Sequence, residues 1–198
     1  VRAAFVASSF TEVIRRLDEA VDTGFATPAA DATDAGKLAF LYPGQGSQRP
    51  GMLNDLFVTF GGLDDLLRLG APWAETMFPR TAFTREERAA QQAAITSTEV
   101  AQPTLGIAAL AMTRLLRRVG VTPDAAAGHS YGELAALAAA GTFDDETLLS
   151  LSAARGGAVL AAVEQSGGDP GAMAAIWLTL DEVTTRLTAW PDIVVANH

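Results

Sequence analysis

Residues 126–134 read AAGHSYGEL, with Ser130 held between Gly128 and Gly132. Asp124 to Ala127 is short and apolar enough to end a buried strand, and Glu133 to Ala140 is an Ala/Leu-rich helix that stops at Gly141. A serine on so sharp a strand-to-helix turn lifts its hydroxyl clear of the backbone, while the next residue's N–H points at whatever the hydroxyl attacks. Only glycine tolerates the crowding expected at positions 128 and 132. This geometry suits acyl transfer through a seryl ester. On this segment alone, the same residues also fit a glycine-rich turn in which Ser130 caps the Glu133 N–H.

A second glycine-rich stretch, PGQGSQ (Pro43 to Gln48), follows LAFLY (Leu38 to Tyr42), which reads as a buried strand. It lacks the spacing and the closing lysine of a phosphate-binding loop. Gly44 and Gly46 flank Gln45, which leaves the Gln45 N–H free to serve as one donor of an oxyanion hole, with the Tyr131 N–H as the other. Donors from two strand ends converge at the carboxyl edge of a parallel sheet.

Arg155 follows Leu148 by seven residues and Leu151 by four, and precedes Val159 by four, so helical spacing sets its guanidinium against an apolar face. Held there it needs an anion, either a structural carboxylate or the free carboxylate of a substrate gripped by two hydrogen bonds. A serine nucleophile also needs a base, and the sequence has only His129 and His198. His129 adjoins Ser130, where neighbouring side chains point apart, so it is expected to line the pocket. His198 ends the chain, a loose place for a group that must be held within about 0.5 Å. No triad closes from these residues, and no histidine and carboxylate cluster has metal-ligand spacing.

The elements that must position these groups follow from patterning. With 198 residues, 49% of them hydrophobic, the chain can bury a core, which disfavours disorder. Fourteen basic against 23 acidic residues give a net charge of −9, which disfavours a nucleic-acid or anionic-membrane surface. The absence of cysteine removes disulfides, thiolate catalysis and zinc–thiolate sites. No uncharged run approaches the roughly 20 residues of a membrane span, and no signal peptide is recognised, so the chain reads as a soluble cytoplasmic protein. VRAAFVASSF predicts a short strand entering a helix, with Ser9 and Glu12 as a capping box and Phe10, Val13, Ile14, Leu17 and Val21 on one face.

Thr23 to Lys37 reads as a linker, and the main domain is expected to begin near Lys37. A long helical excursion then leads to a helix over Gln102 to Val119 with Pro103 in its first turn. The strand at Asp124, the serine turn and its helix come next, and a further helix runs from Asp144 to about Val163. This order predicts α/β with a parallel sheet. After GGDPG, a strand over Ala172 to Trp177, a helix opened by Thr179 and Glu182 and a strand over Ile193 to Ala196 form the start of a smaller unit.

FLYPGQGSQRPGM, VAQPTL and AAGHSYGELAALAAAGTFDD, followed by AARG, resemble in order and spacing the acyltransferase domains of fatty-acid and polyketide synthases, over about Lys37 to His198. The resemblance implies a hydrolase-like parallel-sheet large subdomain with an inserted ferredoxin-like small subdomain. It divides the chain into residues 1–36 as the end of a ketosynthase-to-acyltransferase linker, 37–166 as large subdomain and 167–198 as the start of the small one. It implies that Ser130 takes a malonyl-type group from coenzyme A and passes it to the phosphopantetheine thiol of an acyl carrier protein, with no tightly bound cofactor. Gln45 and Tyr131 would supply the oxyanion-hole N–H groups, Arg155, twenty-five residues past the serine, would hold the malonyl carboxylate, and Asn197 would line the pocket with His129. The general-base histidine is expected roughly a hundred residues past Ser130, beyond residue 198, so the chain reads as C-terminally incomplete, with a second fragment of the same domain and an adjoining ketosynthase as partners. Tyr131 departs from common modular synthases, and GHSYGEL with the linker resembles iterative synthases of the enediyne type. A serine hydrolase or thioesterase-like editing domain and a catalytically silent docking domain are the alternatives.

Overall fold

The segments that end at the glycine-rich loop and at the serine turn lie side by side as two parallel strands. The computed structural model describes residues 5–24, 36–165, 167 and 172–196. Strand β1 (Ala39–Tyr42) pairs with β2 (Ala125–Gly128) in the register Ala39 to Ala125 through Tyr42 to Gly128. The entry to the pair is locked by Asp124, whose backbone N–H donates to the Leu38 carbonyl and whose carboxylate accepts from the Leu38 N–H, both at 2.8 Å. Parallel strands need a long crossover, and residues 43–124 supply it as helices α2 (Asn54–Thr59), α3 (Asp64–Leu69), α4 (Ala71–Met77), α5 (Arg85–Thr96) and α6 (Thr98–Arg118). Helices α7 (Gly132–Ala139) and α8 (Asp145–Gln165) follow β2. The architecture is α/β, as the element order implies.

α6 is the central support. Its first turn lies earlier than the sequence reading placed it, so Pro103 stands inside the helix and is buried. A proline there supplies no N–H to the preceding turn, and the Thr104 hydroxyl donates to the carbonyls of Val100 and Ala101 at 2.9 and 3.0 Å. One face of α6, with Ile107, Leu110 and Ala111, joins Leu63, Leu66, Met77, Leu148 and Leu149 in the main core. A smaller cluster of Tyr42, Ala135, Ala136 and Ala139 seats α7 against the sheet, where alanines allow close approach. The Tyr42 hydroxyl shares a hydrogen bond of 2.7 Å with Thr113 of α6, so its polar end is satisfied where it is buried.

The peripheral elements differ from expectation. Helix α1 (Phe10–Thr23) forms, and Ser9 caps it through the Glu12 N–H, but the Glu12 carboxylate accepts from the N–H and hydroxyl of Ser8 rather than closing the box on Ser9. No strand precedes it at residues 5–7. Its apolar stripe is exposed at Phe10, Ile14, Leu17 and Val21. Helix α9 (Leu180–Leu187) carries the full Thr179 and Glu182 capping box. The strands expected over Ala172 to Trp177 and Ile193 to Ala196 are not formed among the described residues. A strand exists only through hydrogen bonds to a neighbour, and neither segment has one there. Asn197, His198 and most of the expected linker lie outside the described residues. Among the described residues, no helix is long and apolar enough to cross a membrane.

Ile107 is fully buried beneath Gly70, where an added Cβ would meet Ile107 Cδ1 at 2.3 Å. Ile107→Ala is expected to cost about 2–5 kcal/mol, read as a lowered urea midpoint with an unchanged slope.

Candidate active site

Ser130 is one of two non-glycine described residues with positive φ, at 53°. An L-residue pays for this conformation, and it persists because its surroundings dictate it. A Cβ on Gly128 would stand 2.0 Å from the Gly132 carbonyl carbon, and one on Gly132 would stand 2.1 Å from the Tyr42 oxygen. No side chain fits at either position. The turn is closed by the Gly132 N–H donating to the His129 carbonyl at 2.9 Å and tied to β1 by the His129 N–H donating to the Tyr42 carbonyl at 3.1 Å.

The alternative capping role for Ser130 is not what forms. The Glu133 N–H donates to the Ser130 carbonyl, and α7 has no side-chain cap. Ser130 is exposed, and its hydroxyl makes no hydrogen bond among the described residues. The PGQGSQ loop rests against it. A Cβ on Gly44 would approach the His129 carbonyl oxygen to 2.7 Å, His129 Nδ1 to 2.9 Å and Ser130 Cβ to 3.4 Å. The loop braces itself through the Gly46 N–H donating to Gln48 Oε1 at 2.7 Å and the Ser47 hydroxyl donating to the Gly44 carbonyl at 2.9 Å. Neither the Gln45 N–H nor the Tyr131 N–H has an acceptor among the described residues. Two uncommitted donors therefore stand on the two segments that meet at Ser130.

Side chains that the sequence reading did not single out hold this arrangement. Gln45 Nε2 donates to Thr98 Oγ1, and Gln102 Nε2 donates to Gln45 Oε1, both at 3.3 Å. Gln102 is 1% exposed, and a glutamine inside the apolar run of α6 was the available signal. Tyr131 is also 1% exposed, and its phenol meets Ser152 Oγ at 2.7 Å. Burial pushes its pKa up to about 12, opposed in part by the charge of Arg155.

Arg155 is half-buried on α8, one turn beyond Ser152. Arg155 does not lie on the apolar face that its spacing implies. The buried face of α8 is Leu148, Leu149, Ser152 and Gly156, while Leu151 and Val159 are 40% and 41% exposed, so Arg155 stands at the border of that face. Gly156 brings the border close to α6, since a Cβ there would meet the Thr98 carbonyl at 2.9 Å. Arg155 has no ion pair among the described residues, so the structural-carboxylate alternative is not formed there. No group of metal-binding side chains occurs among the described residues.

Residues 39–198 match the acyl transferase domain family. The chain belongs to that family. The malonyl CoA-acyl carrier protein transacylase of Bacillus subtilis (strain 168) is 35% identical over 162 residues, which are 80% of this chain and 49% of that protein. The acyltransferase domain from the second module of the salinomycin polyketide synthase superposes with a TM-score of 0.65 at 30% identity, covering 96% of this chain and 43% of that one. A malonyl-transacylase solved with a holo type II polyketide synthase acyl-carrier protein gives a TM-score of 0.55 at 30% identity, over 65% of this chain and 40% of that chain. This acyl transferase chain thus spans half or less of the length of these relatives.

The strain at Ser130 is measurable. Ser130→Gly is expected to be more stable than Ser130→Ala by roughly 1 kcal/mol in urea unfolding, because glycine alone takes positive φ without steric cost. Equal stability would show that the elbow is unstrained.

Proposed function

We propose that this acyl transferase domain loads a malonyl-type unit from coenzyme A onto Ser130 and passes it to the phosphopantetheine thiol of an acyl carrier protein in polyketide synthesis. One observation carries the reading: an exposed serine at positive φ, with the uncommitted N–H groups of Gln45 and Tyr131 on the two segments that meet there. The Ser130 oxygen attacks the thioester carbonyl as its proton passes to a base, and the tetrahedral oxyanion takes the two N–H donors, each contributing roughly 3 kcal/mol. Collapse expels the coenzyme A thiolate, which takes up a proton, and leaves the acyl group as an ester on Ser130. The carrier thiol then attacks that ester through a second tetrahedral intermediate and restores the serine hydroxyl.

By resemblance to the family, the base is a histidine beyond residue 198. Arg155, with no protein carboxylate bonded to it among the described residues, takes the free carboxylate of the acyl unit, and His129 and Asn197 line the pocket. Residues 1–36 belong to the linker from an adjoining ketosynthase, 37–166 to the large subdomain and 167–198 to the small one. The names of the relatives, malonyl transacylases and a polyketide synthase acyltransferase, support malonyl and carrier protein as substrate and partner.

Brief exposure of the protein encoded by the natural gene to malonyl-CoA is expected to leave a malonyl adduct that peptide mapping places on Ser130. Its absence overturns the reading, and rapid release of free malonate without carrier loading would make the domain a hydrolase. Arg155→Ala is expected to lower malonyl transfer by about 10²-fold while sparing acetyl transfer. Unchanged selectivity would remove Arg155 from substrate binding.

A further inference from the structure

The residue after Ser130 has two ends with different duties. Its N–H stands at the elbow, while its side chain is buried and reaches Ser152 of α8. Ser152 is wholly buried and donates its own proton to the Leu148 carbonyl at 2.6 Å. The Tyr131 phenol is therefore the donor in the 2.7 Å contact, and both hydroxyl protons are committed. α6 makes room for the pair with Gly106, where a Cβ would lie 2.6 Å from the Tyr131 oxygen, 2.9 Å from Leu149 Cδ2 and 3.5 Å from Ser152 Oγ. One turn further along α8, Gly156 seats the helix on Thr98, the residue that also holds the Gln45 side chain. Arg155 lies between these two anchors.

We infer that the Tyr131–Ser152 hydrogen bond is a positioning device that fixes α8, and with it the guanidinium of Arg155, relative to the oxyanion donor at Tyr131. The inference rests on the proposed role of Arg155 and deepens it. The apolar packing of Leu148 and Leu149 seats α8 in the core without fixing a direction at any one atom, whereas a hydrogen bond fixes direction as well as distance. Ser152 is three residues before Arg155, about 4.5 Å along the axis, so rotation at one is felt at the other. The elbow residue thus sets both ends of a malonyl unit, its reacting carbonyl through a backbone N–H and its carboxylate through a buried pair of hydroxyls. Tyr131 and Ser152 act as positioning residues for selectivity between carboxylated and uncharged acyl groups.

Tyr131→Phe, Ser152→Ala and their combination, made in the protein as its natural gene encodes it, test this with malonyl-CoA and acetyl-CoA as donors and with thermal unfolding in parallel. Misplacement of order 1 Å costs up to 10²-fold, so each single variant is expected to lower the malonyl-to-acetyl ratio of kcat/KM by about 10-fold, chiefly through the malonyl KM. The double variant is expected to be no worse than the more severe single one, because both act through one bond. Tyr131→Phe keeps the ring and the Ser152 bond to Leu148, so it decides the matter even where Ser152→Ala does not fold. Equal losses for both donors, or an unchanged ratio in folded Tyr131→Phe, overturn the inference. If Arg155→Ala shifts the ratio and Tyr131→Phe does not, only the positioning role falls; if Arg155→Ala leaves it unchanged, the clamp itself is refuted.

Discussion

Two backbones pass so close at the end of the sheet that neither leaves room for a side chain. The Tyr42 carbonyl faces Gly132, and Gly132 faces Gly128, at separations where an added Cβ would fall near 2 Å from another atom. This close approach, set by the pairing of Tyr42 with Gly128, obliges the chain to reverse within three residues of β2. The reversal places Ser130 in the left-handed region and swings its hydroxyl away from the sheet. The same approach carries the PGQGSQ loop onto the serine, because that loop leaves β1 where the elbow leaves β2. Energy stored at Ser130 is held by bonds made elsewhere, chiefly the His129 N–H to Tyr42 and the alanine packing of α7.

Three buried polar side chains are grouped around that point. Gln48, Gln102 and Ser152 are buried and hydrogen-bonded to the loop, to Gln45 and to Tyr131 respectively, while the apolar core lies between α3, α4, α6 and α8. Gln102 Oε1 is the buried side-chain atom without a partner among the described residues, and it belongs to the amide that reaches Gln45. Arg114 plays the opposite part far from the elbow, bridging Asp65 and Asp145 at 2.6 and 2.8 Å and joining α3, α6 and α8 at the surface.

Local chemistry was legible in the residues themselves. The strands, the serine turn, α7 and α8 follow from short apolar runs, glycine punctuation and helical spacing, all of which act within a few residues. The caps at Ser9 and Thr179 were equally local. The strands expected near Ala172 and Ile193 were not found, since a strand depends on a partner that composition cannot supply. The start of α6 was misplaced because Pro103 looks like a first-turn residue, whereas here it is buried inside the helix with the Thr104 hydroxyl serving the carbonyls before it.

By itself the sequence determined which groups are present to do chemistry: a serine between glycines, a glutamine between glycines, and an arginine at helical distance. It also determined that strand, crossover and strand would run parallel. Tertiary structure alone decided that the Gln45 and Tyr131 N–H groups have no acceptor among the described residues, that Arg155 borders the buried face, and that Tyr131 turns inward to Ser152. Those outcomes depend on which distant segments share a hydrogen-bond partner or a cubic ångström of space. Spacing along a chain specifies faces and turns, but only packing assigns the partners that each face will meet.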